Sequence, residues 1–483
     1  MEQLIRETLK DFERLKSERS NWDNSFQLVA EYVWQTKADF TVTSITQGEF
    51  LFNKLYDTTA YDSMVIRASS FLSMVWGNGE FAFVPVHESI KEDQESLDFF
   101  QQATEIVKAD LQDPKVNLDL ALYQVELYLG SFGTGCLIVV QKEDDSIRFA
   151  SLDLKEIYID EDEYGNADTL FRRYELTVEQ AIKKFGLENL SPKMKGLVKS
   201  KESNIKQTFL HIIRPRRKPK AKMGVLAMPF ESLHIDYSNK YLIKESGFDY
   251  KPFFVCRENK KSDEQYGRGA GFISIADNKN LQTVTKDMIH IFNRYADPPT
   301  GSMNASITGG IIDKSPGGHT SFETTIQGQK PFFNLIEEFG GNLQALNEFR
   351  QSLKENITKK FDIDVLLDFN SEREMTAYEV NQRASMRQQA LGSKFYSRIA
   401  EIYNPMLETI FQIYLSNSKF GYSNAEAEIL KSRGIEVSKI IPDKVLNLIG
   451  NNEPVYDIVY YTPQAQEKMM MKTQSILNIY QNA

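Results

Sequence analysis

The chain has 483 residues, 41% hydrophobic and 26% charged, which admits two to four domains and excludes wholesale disorder. Its 57 basic and 67 acidic residues leave a formal charge of −10, which argues against tight, charge-driven binding of a polyanion by the chain as a whole. Two cysteines, Cys136 and Cys256, with no CxxC, and histidines never three to five residues apart, exclude a disulfide framework, a zinc ribbon and an HExxH-type site. The N-terminus is charged from its second residue, unlike a signal peptide, and no apolar run approaches the roughly 18–20 residues of a membrane span.

Leu4, Ile5, Leu9, Phe12 and Leu15, then Phe26, Val29 and Val33, predict helix through the first 35 residues. Helix is expected again over 61–76, 89–111 and 117–130, with strands at 81–86 and 137–140. From 147 to 260 the texture is β-rich: strands at 149–159, 169–176, 208–213, 229–236 and 252–257. A short helix lies among them, with Thr177 as N-cap, Gln180 three residues on and Gly186 as stop. Ser274 and Asp277 read as a capping box for a helix ending before Asp297-Pro298-Pro299. After a stretch rich in Gly, Ser, Thr and Pro, a second helix opens near Gly340 with the stripe Leu343, Leu346, Phe349, Leu353, Ile357 and Phe361. A loop over 362–375 precedes a second capping box, Thr376 and Glu379, and a long helix that Pro405 should kink. The tail reads as a strand at 455–461 and a helix from 463. The whole is an α+β, helix-rich body with a helix–insert–helix arm at 273–361.

No constellation demands catalysis. Tyr266-Gly267-Arg268-Gly269-Ala270-Gly271 resembles a phosphate-cradling turn, but its spacing is GxGxG and no strand abuts it; a tight turn allowing close backbone packing is the better reading. Cys136 after Gly133-Thr134-Gly135 leads into an apolar strand and reads as a buried thiol. The acidic turn 160–165 lacks the calcium ligands of an EF-hand loop, with Tyr164 at position five and Phe171 at position twelve. The basic run from Arg214 to Lys220 reads as a solvated loop, and Glu372-Arg373-Glu374 as part of a connector between long helices. No cofactor or metal site is expected.

Taken together, several motifs resemble the portal, or head-to-tail connector, family of short-tailed T7-like bacteriophages. They are Leu15-Lys16-Ser17-Glu18-Arg19-Ser20-Asn21-Trp22, Ala30-Glu31-Tyr32-Val33, Leu55-Tyr56-Asp57-Thr58-Thr59-Ala60, Phe132-Gly133-Thr134-Gly135, Phe171-Arg172-Arg173, Phe185-Gly186, Tyr266-Gly267-Arg268-Gly269, Asp297-Pro298-Pro299 and Met375-Thr376-Ala377-Tyr378-Glu379-Val380. Ala270 stands where the family commonly has proline, and the chain stops inside a predicted helix where members often continue.

The resemblance implies a non-enzymatic dodecameric ring at one capsid vertex, assembled in the host cytoplasm, with a central channel for packaging and ejecting double-stranded DNA. It implies a wing (1–272), stem helices (273–297 and 338–361) around a clip (298–337), a tunnel loop (362–375), a long kinked helix returning to the wing (376–462) and the start of a crown (463–483). Ser371, Glu372, Arg373 and Glu374 would face the channel, and Leu346, Phe349, Leu353 and Ile357 would pack the stem. Implied partners are the terminase large subunit, capsid and scaffolding proteins, and tail adaptor and nozzle proteins, with no membrane. A tail adaptor or other virion ring protein is the alternative, and a nucleotide-binding phage enzyme using Gly267 to Gly271 a more distant one.

Overall fold

The computed structural model describes residues 2–41, 55–77, 79–142, 146–200, 204–217, 224–303, 313, 315–322, 332–334, 340–367, 391–433, 440–451 and 453–461. The apolar steps at the N-terminus form one helix, α1 (Glu2–Tyr32), which buries Phe12, Leu15, Phe26 and Val29. Then come α2 (Thr59–Val75), β1 (Phe81–Pro85), α3 (Glu88–Lys91), α4 (Gln94–Leu111) and α5 (Leu118–Ser131). The single helix expected over 89–111 is therefore two. The Asp93 carboxylate accepts from the Ser96 amide and caps a fresh start, a role that periodicity does not separate from an exposed helical position. Helix α5 is buried nearly all round, as its high apolar content requires. Its Val125 and Leu129 belong to one principal core, its Leu127 and Tyr128 to the other.

The β-rich region comprises β2 (Thr134–Gln141), β3 (Ile147–Leu152), β4 (Ile157–Glu161), β5 (Ala167–Thr177), α6 (Val178–Phe185), α7 (Pro192–Lys199), β6 (Lys206–Pro215), β7 (Phe230–Asp236), β8 (Tyr241–Phe248) and β9 (Phe253–Arg257). Three strands form an antiparallel sheet in the order β3-β2-β9, and five form the meander β4-β5-β6-β7-β8. The strand expected over 149–159 is split by a turn in which the Asp153 carboxylate accepts from the Lys155 amide. The capping box at Thr177 and Gln180 forms as read, and the helix stops at Gly186. Sequence reasoning passed over α7 and β8, although Ser191-Pro192 is a legible start: Ser191 accepts from the Met194 amide and Pro192 occupies the first turn.

The basic run is not solvated at Arg214 and Arg216, whereas Arg217 is exposed as expected. Arg214 continues β6 with its guanidinium buried against Glu231 (2.6 Å) and Asp11 (3.1 Å). Arg216 is buried as well, donating to Glu245 (3.2 Å) and to the Met228 and Ser246 carbonyls. The carboxylates come from β7, β8 and α1, so adjacent like charges in sequence are interleaved with acids in space. The rest of the run, 218–222, lies outside the described residues.

Across the meander, His211 and His234 are directly paired and stack at 4.0 Å with an 11° interplanar angle. His211 shares a hydrogen bond with Ser232 (2.9 Å), and Phe185 covers His234 at 5.0 Å. Burial, then the charges of Lys184 and Lys244, hold His234 down at about 3; burial and His234 depress His211 as well, with Lys184 and Arg172 adding to it. Both folded-state values lie below the unfolded value near 6.5, so the unfolded chain binds more protons under pH 6.5 and stability falls as pH drops through that point. Between pH 6.5 and 5, His234 alone is expected to remove about 2 kcal/mol. Hydrogen exchange of β6 and β7 at the two pH values measures this, and His234→Phe should flatten the dependence.

The remaining elements are α8 (Ala270–Ile273), α9 (Ile275–Ala296), three short strands β10 (Thr300–Met303), β11 (His319–Phe322) and β12 (Phe332–Asn334), α10 (Gly340–Lys360) and α11 (Ile363–Leu367). The three strands pair in the order β11-β10-β12, between the ends of α9 and α10. The box expected at Ser274 does not form, because its hydroxyl donates to Gly271 O and accepts from Asn278 instead; Asp277 pairs with Lys360 on α10. Part of the expected loop 362–375 is helical, since α11 buries Ile363 and Leu366. The second capping box, Thr376 and Glu379, and the helix from 463 lie outside the described residues.

Residues 391–398 are helical and pass through a π-turn, Ile399–Tyr403, into a helix at Asn404–Ser416. The widened turn comes directly before Pro405, whose missing amide and ring cannot continue a regular ladder. Helices at Asn424–Ser432 and Asp443–Gly450, also unforeseen, lead to β13 (Tyr456–Tyr460), which pairs antiparallel with β1.

Candidate functional site

Four of the motifs that carry the resemblance, at 15–22, 55–60, 132–135 and 266–269, converge where α9 and α10 root in the body. Gly133 has φ +86°, and a Cβ there would lie 2.2 Å from Gly269 N. A Cβ on Gly267 would lie 2.3 Å from the carbonyl oxygens of Gly133 and Glu258, and one on Gly269 2.5 Å from Leu129 O. Both glycine motifs are thus glycine because two backbones touch. The Gly267 amide donates to Thr134 Oγ1 (2.8 Å), the Arg268 amide to Glu258 O (2.7 Å) and the Glu258 amide to Gly133 O (2.7 Å). The amides of Gly267 and Arg268 are already bonded, so this turn is packing, not a phosphate cradle. Cys136, next to it, is fully buried, and burial pushes its thiol up to about 12.

The N-terminal motif closes over the same turn. Arg19, buried in α1, pairs with Asp23 (2.8 Å), donates to Ile157 O and lies over the rings of Tyr158 and Tyr266. Trp22 packs on Tyr266, with the Arg268 guanidinium 4.9 Å from its ring.

Glu258 also carries the centre of a buried charge cluster. Its carboxylate accepts from Arg67 on α2 (2.6 Å) and from Arg398 (3.1 Å). Arg398 forks onto Glu126 of α5 (2.7 Å), and Arg67 reaches Asp362 (3.4 Å), which holds Lys394 (2.5 Å). Three cations thus meet three anions drawn from α2, α5, the exit of β9, the end of α10 and the first turns after 391. Burial opposes the Glu258 charge, but Arg67, Arg398 and Lys394 outweigh it and hold the carboxyl down at about 2.

A second clamp ties both arm helices to the segment before α2. Gln282 of α9 accepts from the Tyr56 (2.6 Å) and Asp57 (2.9 Å) amides and donates to Asp57 O (2.9 Å). The Asp57 carboxylate takes Lys354 of α10 (2.6 Å) and the Thr59 amide (2.9 Å). Burial works against that carboxylate, and Lys354 and Thr59 still hold it below the usual range.

Helices α9 and α10 lie side by side. Leu281, Leu353, Ile357 and Phe361 are buried in a common core at the root. Of the four residues expected to pack this pair, Leu353 and Ile357 are buried, Leu346 is half-buried and Phe349 is exposed. Farther out, Ile289, Phe292 and Tyr295 of α9 are exposed too, Tyr295 at 69%. Apolar side chains therefore recur along both helices, covered from the root as far out as Met288 and left open at Ile289, Phe292, Tyr295 and Phe349. Ser371, Glu372, Arg373 and Glu374 lie outside the described residues, in the span whose two ends Asp362 and Lys394 pin together.

The charge cluster was not foreseen. Its members come from five segments, and nothing in the spacing of Arg67, Glu126, Glu258 and Arg398 marks them. Among the described residues no group of three or more His, Cys, Asp and Glu is arranged to hold a metal ion, and no helix is long and apolar enough to cross a membrane.

The chain is 23% identical over 419 residues to a portal protein of Salmonella phage epsilon15, covering 84% of this chain and 73% of that one. It is 23% identical over 406 residues to a probable portal protein of Bordetella phage BPP-1, covering 83% and 72%. The profile of the family described as bacteriophage head to tail connecting protein matches residues 6–424, which take in α1, the glycine junction, the charge cluster and both arm helices. The chain belongs to the bacteriophage head to tail connecting protein family.

Proposed function

We propose that this chain is the subunit of a portal ring at the unique capsid vertex, the channel through which double-stranded DNA is packaged and ejected. The family match over residues 6–424 carries the reading. The arm rooted through Asp57, Gln282 and Lys354 supports it: paired helices with exposed apolar side chains suit side-by-side packing of copies. In this reading residues 1–272 are the wing, 273–297 and 338–361 the stem, 298–337 the clip, 362–375 the tunnel loop, 376–462 the return to the wing and 463–483 the start of a crown. The terminase large subunit, capsid and scaffolding proteins, and tail adaptor and nozzle proteins are its partners. The subunit is a conduit and scaffold without catalytic residues, assembled in the host cytoplasm and retained in the virion.

A channel must guide the duplex without gripping it, and an acidic chain avoids the strong phosphate binding of a basic lumen. Closed cyclic symmetry with twelve 55.5 kDa chains gives about 666 kDa. Native mass measurement and imaging of the purified protein test the reading; a monomer at every concentration and salt, or absence from the vertex in virions, overturns it. Within it, Ser371, Glu372, Arg373 and Glu374 approach passing DNA, their mixed signs giving weak, screened contacts. Arg373→Glu should leave ring mass unchanged while lowering the DNA retained per capsid several-fold, read by packaging assays.

A further inference from the structure

Strand β1 is paired along one edge and open along the other. Tyr461 donates to Glu80 O (2.9 Å) and Val86 to Val455 O (3.1 Å), so residues 80, 82, 84 and 86 turn their main-chain groups toward β13. Phe81, Phe83 and Pro85 turn theirs the opposite way. There the Phe83 amide donates to Thr104 Oγ1 of α4 (3.0 Å), and Pro85 has no amide to give. The Phe81 amide and the carbonyls of Phe81, Phe83 and Pro85 bond no described residue. Between this edge and α4 runs a trench of about 370 Å³. Its apolar lining includes Val84 and Leu97, 37% and 36% exposed, and α4 adds Gln101, Glu105 and Lys108.

We propose that this trench docks an extended, cationic segment of a partner polypeptide, which adds to β1 as a third strand. Carbonyls on alternate residues, about 6.8 Å apart, match the repeat at which an extended peptide presents its amides. The edge offers three acceptors and one donor. It therefore suits main-chain amides and does not suit phosphates, which bring acceptors alone. A strand edge with a helix beside it also gives the incoming side chains an apolar wall to pack on.

Charge selects the kind of segment. Glu105 lines the trench, and Asp98 lies seven residues before it on α4, within about 20° of the same face. Both are exposed, and neither forms an ion pair with a described residue. Lys108, the cation in the lining, is already held by Glu80 (2.6 Å). The uncompensated charge along the trench is negative, and lysine or arginine on the incoming strand matches it. The site lies on the body, away from the arm helices, and the argument for it does not use the portal reading.

The test is fluorescence anisotropy of the whole protein with a labelled hexapeptide that alternates lysine and valine. Saturable binding is expected, and a glutamate–valine peptide should not bind. Methylating the backbone amides of one alternate set should weaken binding at least about tenfold, while methylating the set that faces away from β1 should leave it unchanged. Gln101→Arg sets a competing cation beside Glu105 and should also weaken binding at least about tenfold. Asp98→Asn with Glu105→Gln should weaken it about three- to tenfold at low salt and have no effect at about 0.5 M. All three positions are exposed, so circular dichroism should not change. No saturable binding, or an equal response to methylating either set of amides, overturns the proposal. Binding by the dissociated subunit but not by the assembled protein overturns it as well, and gives the trench to a second copy.

Discussion

Glu258→Gln is expected to destabilise the protein by about 3–5 kcal/mol, the cost of leaving a buried ion pair without one partner. The amide keeps the size of the side chain but leaves Arg67 and Arg398 buried with one fewer counter-charge between them. Chemical denaturation measures the loss, and a change under about 1 kcal/mol would show that water reaches the cluster and screens it. A paired change, Glu258→Gln with Arg398→Met, should be milder than the sum of its parts, since it removes a cation along with the anion. The pH dependence has the sign of a depressed carboxylate. Glu258 is held at about 2 against a usual value of 4.5, so its stabilisation is complete above about pH 4.5 and is lost as pH falls from there toward 2.

The second large effect is expected on assembly. Phe292→Asp combined with Phe349→Asp places charges on the uncovered stripes of α9 and α10, where the subunit by itself leaves Phe292 52% and Phe349 49% exposed. The folded subunit should tolerate both changes, because neither side chain belongs to a core. A ring closed by those stripes should not, since each of its interfaces would bury unpaired carboxylates. Mass photometry should then find monomers where the unmodified chain forms rings, with near-identical circular dichroism. Rings of normal mass from the double variant would show that other surfaces close the assembly.

What could be read in the sequence was local. Thr177, Gln180 and Gly186 announce a helix because a capping box and a stop lie within ten residues of one another and need no distant partner. The stripe Leu353, Ile357 and Phe361 announces a buried face for the same reason. The family motifs were visible as strings, and close backbone packing was legible at Gly267–Gly271, but the segment packed against it was not. Gly133 and Gly269 are small because of each other, and their contact is made through the fold. The charge cluster was invisible because Arg67 lies 191 residues from Glu258, and Glu258 lies 140 from Arg398. Arg214 and Arg216 misled by the opposite route: their sequence neighbours are basic, while their spatial neighbours, Asp11, Glu231 and Glu245, are acidic.

The pairing of β1 with β13 sets the order in which this protein can be finished. Phe81 and Phe83 occupy a core whose other wall includes Tyr403, Phe411 and Tyr456, and the Ala82 partner in the ladder is Val459. A ribosome adding about 5–20 residues per second needs roughly 20–75 s to travel from β1 to β13. Throughout that interval β1 has an open edge and its aromatic side chains lack their final cover. The nascent subunit must therefore be shielded or stay loosely folded until its last described strand emerges, and self-association before then would pair unfinished edges. Closure of the core around Phe81 and Phe83 is in this way deferred to one late antiparallel ladder.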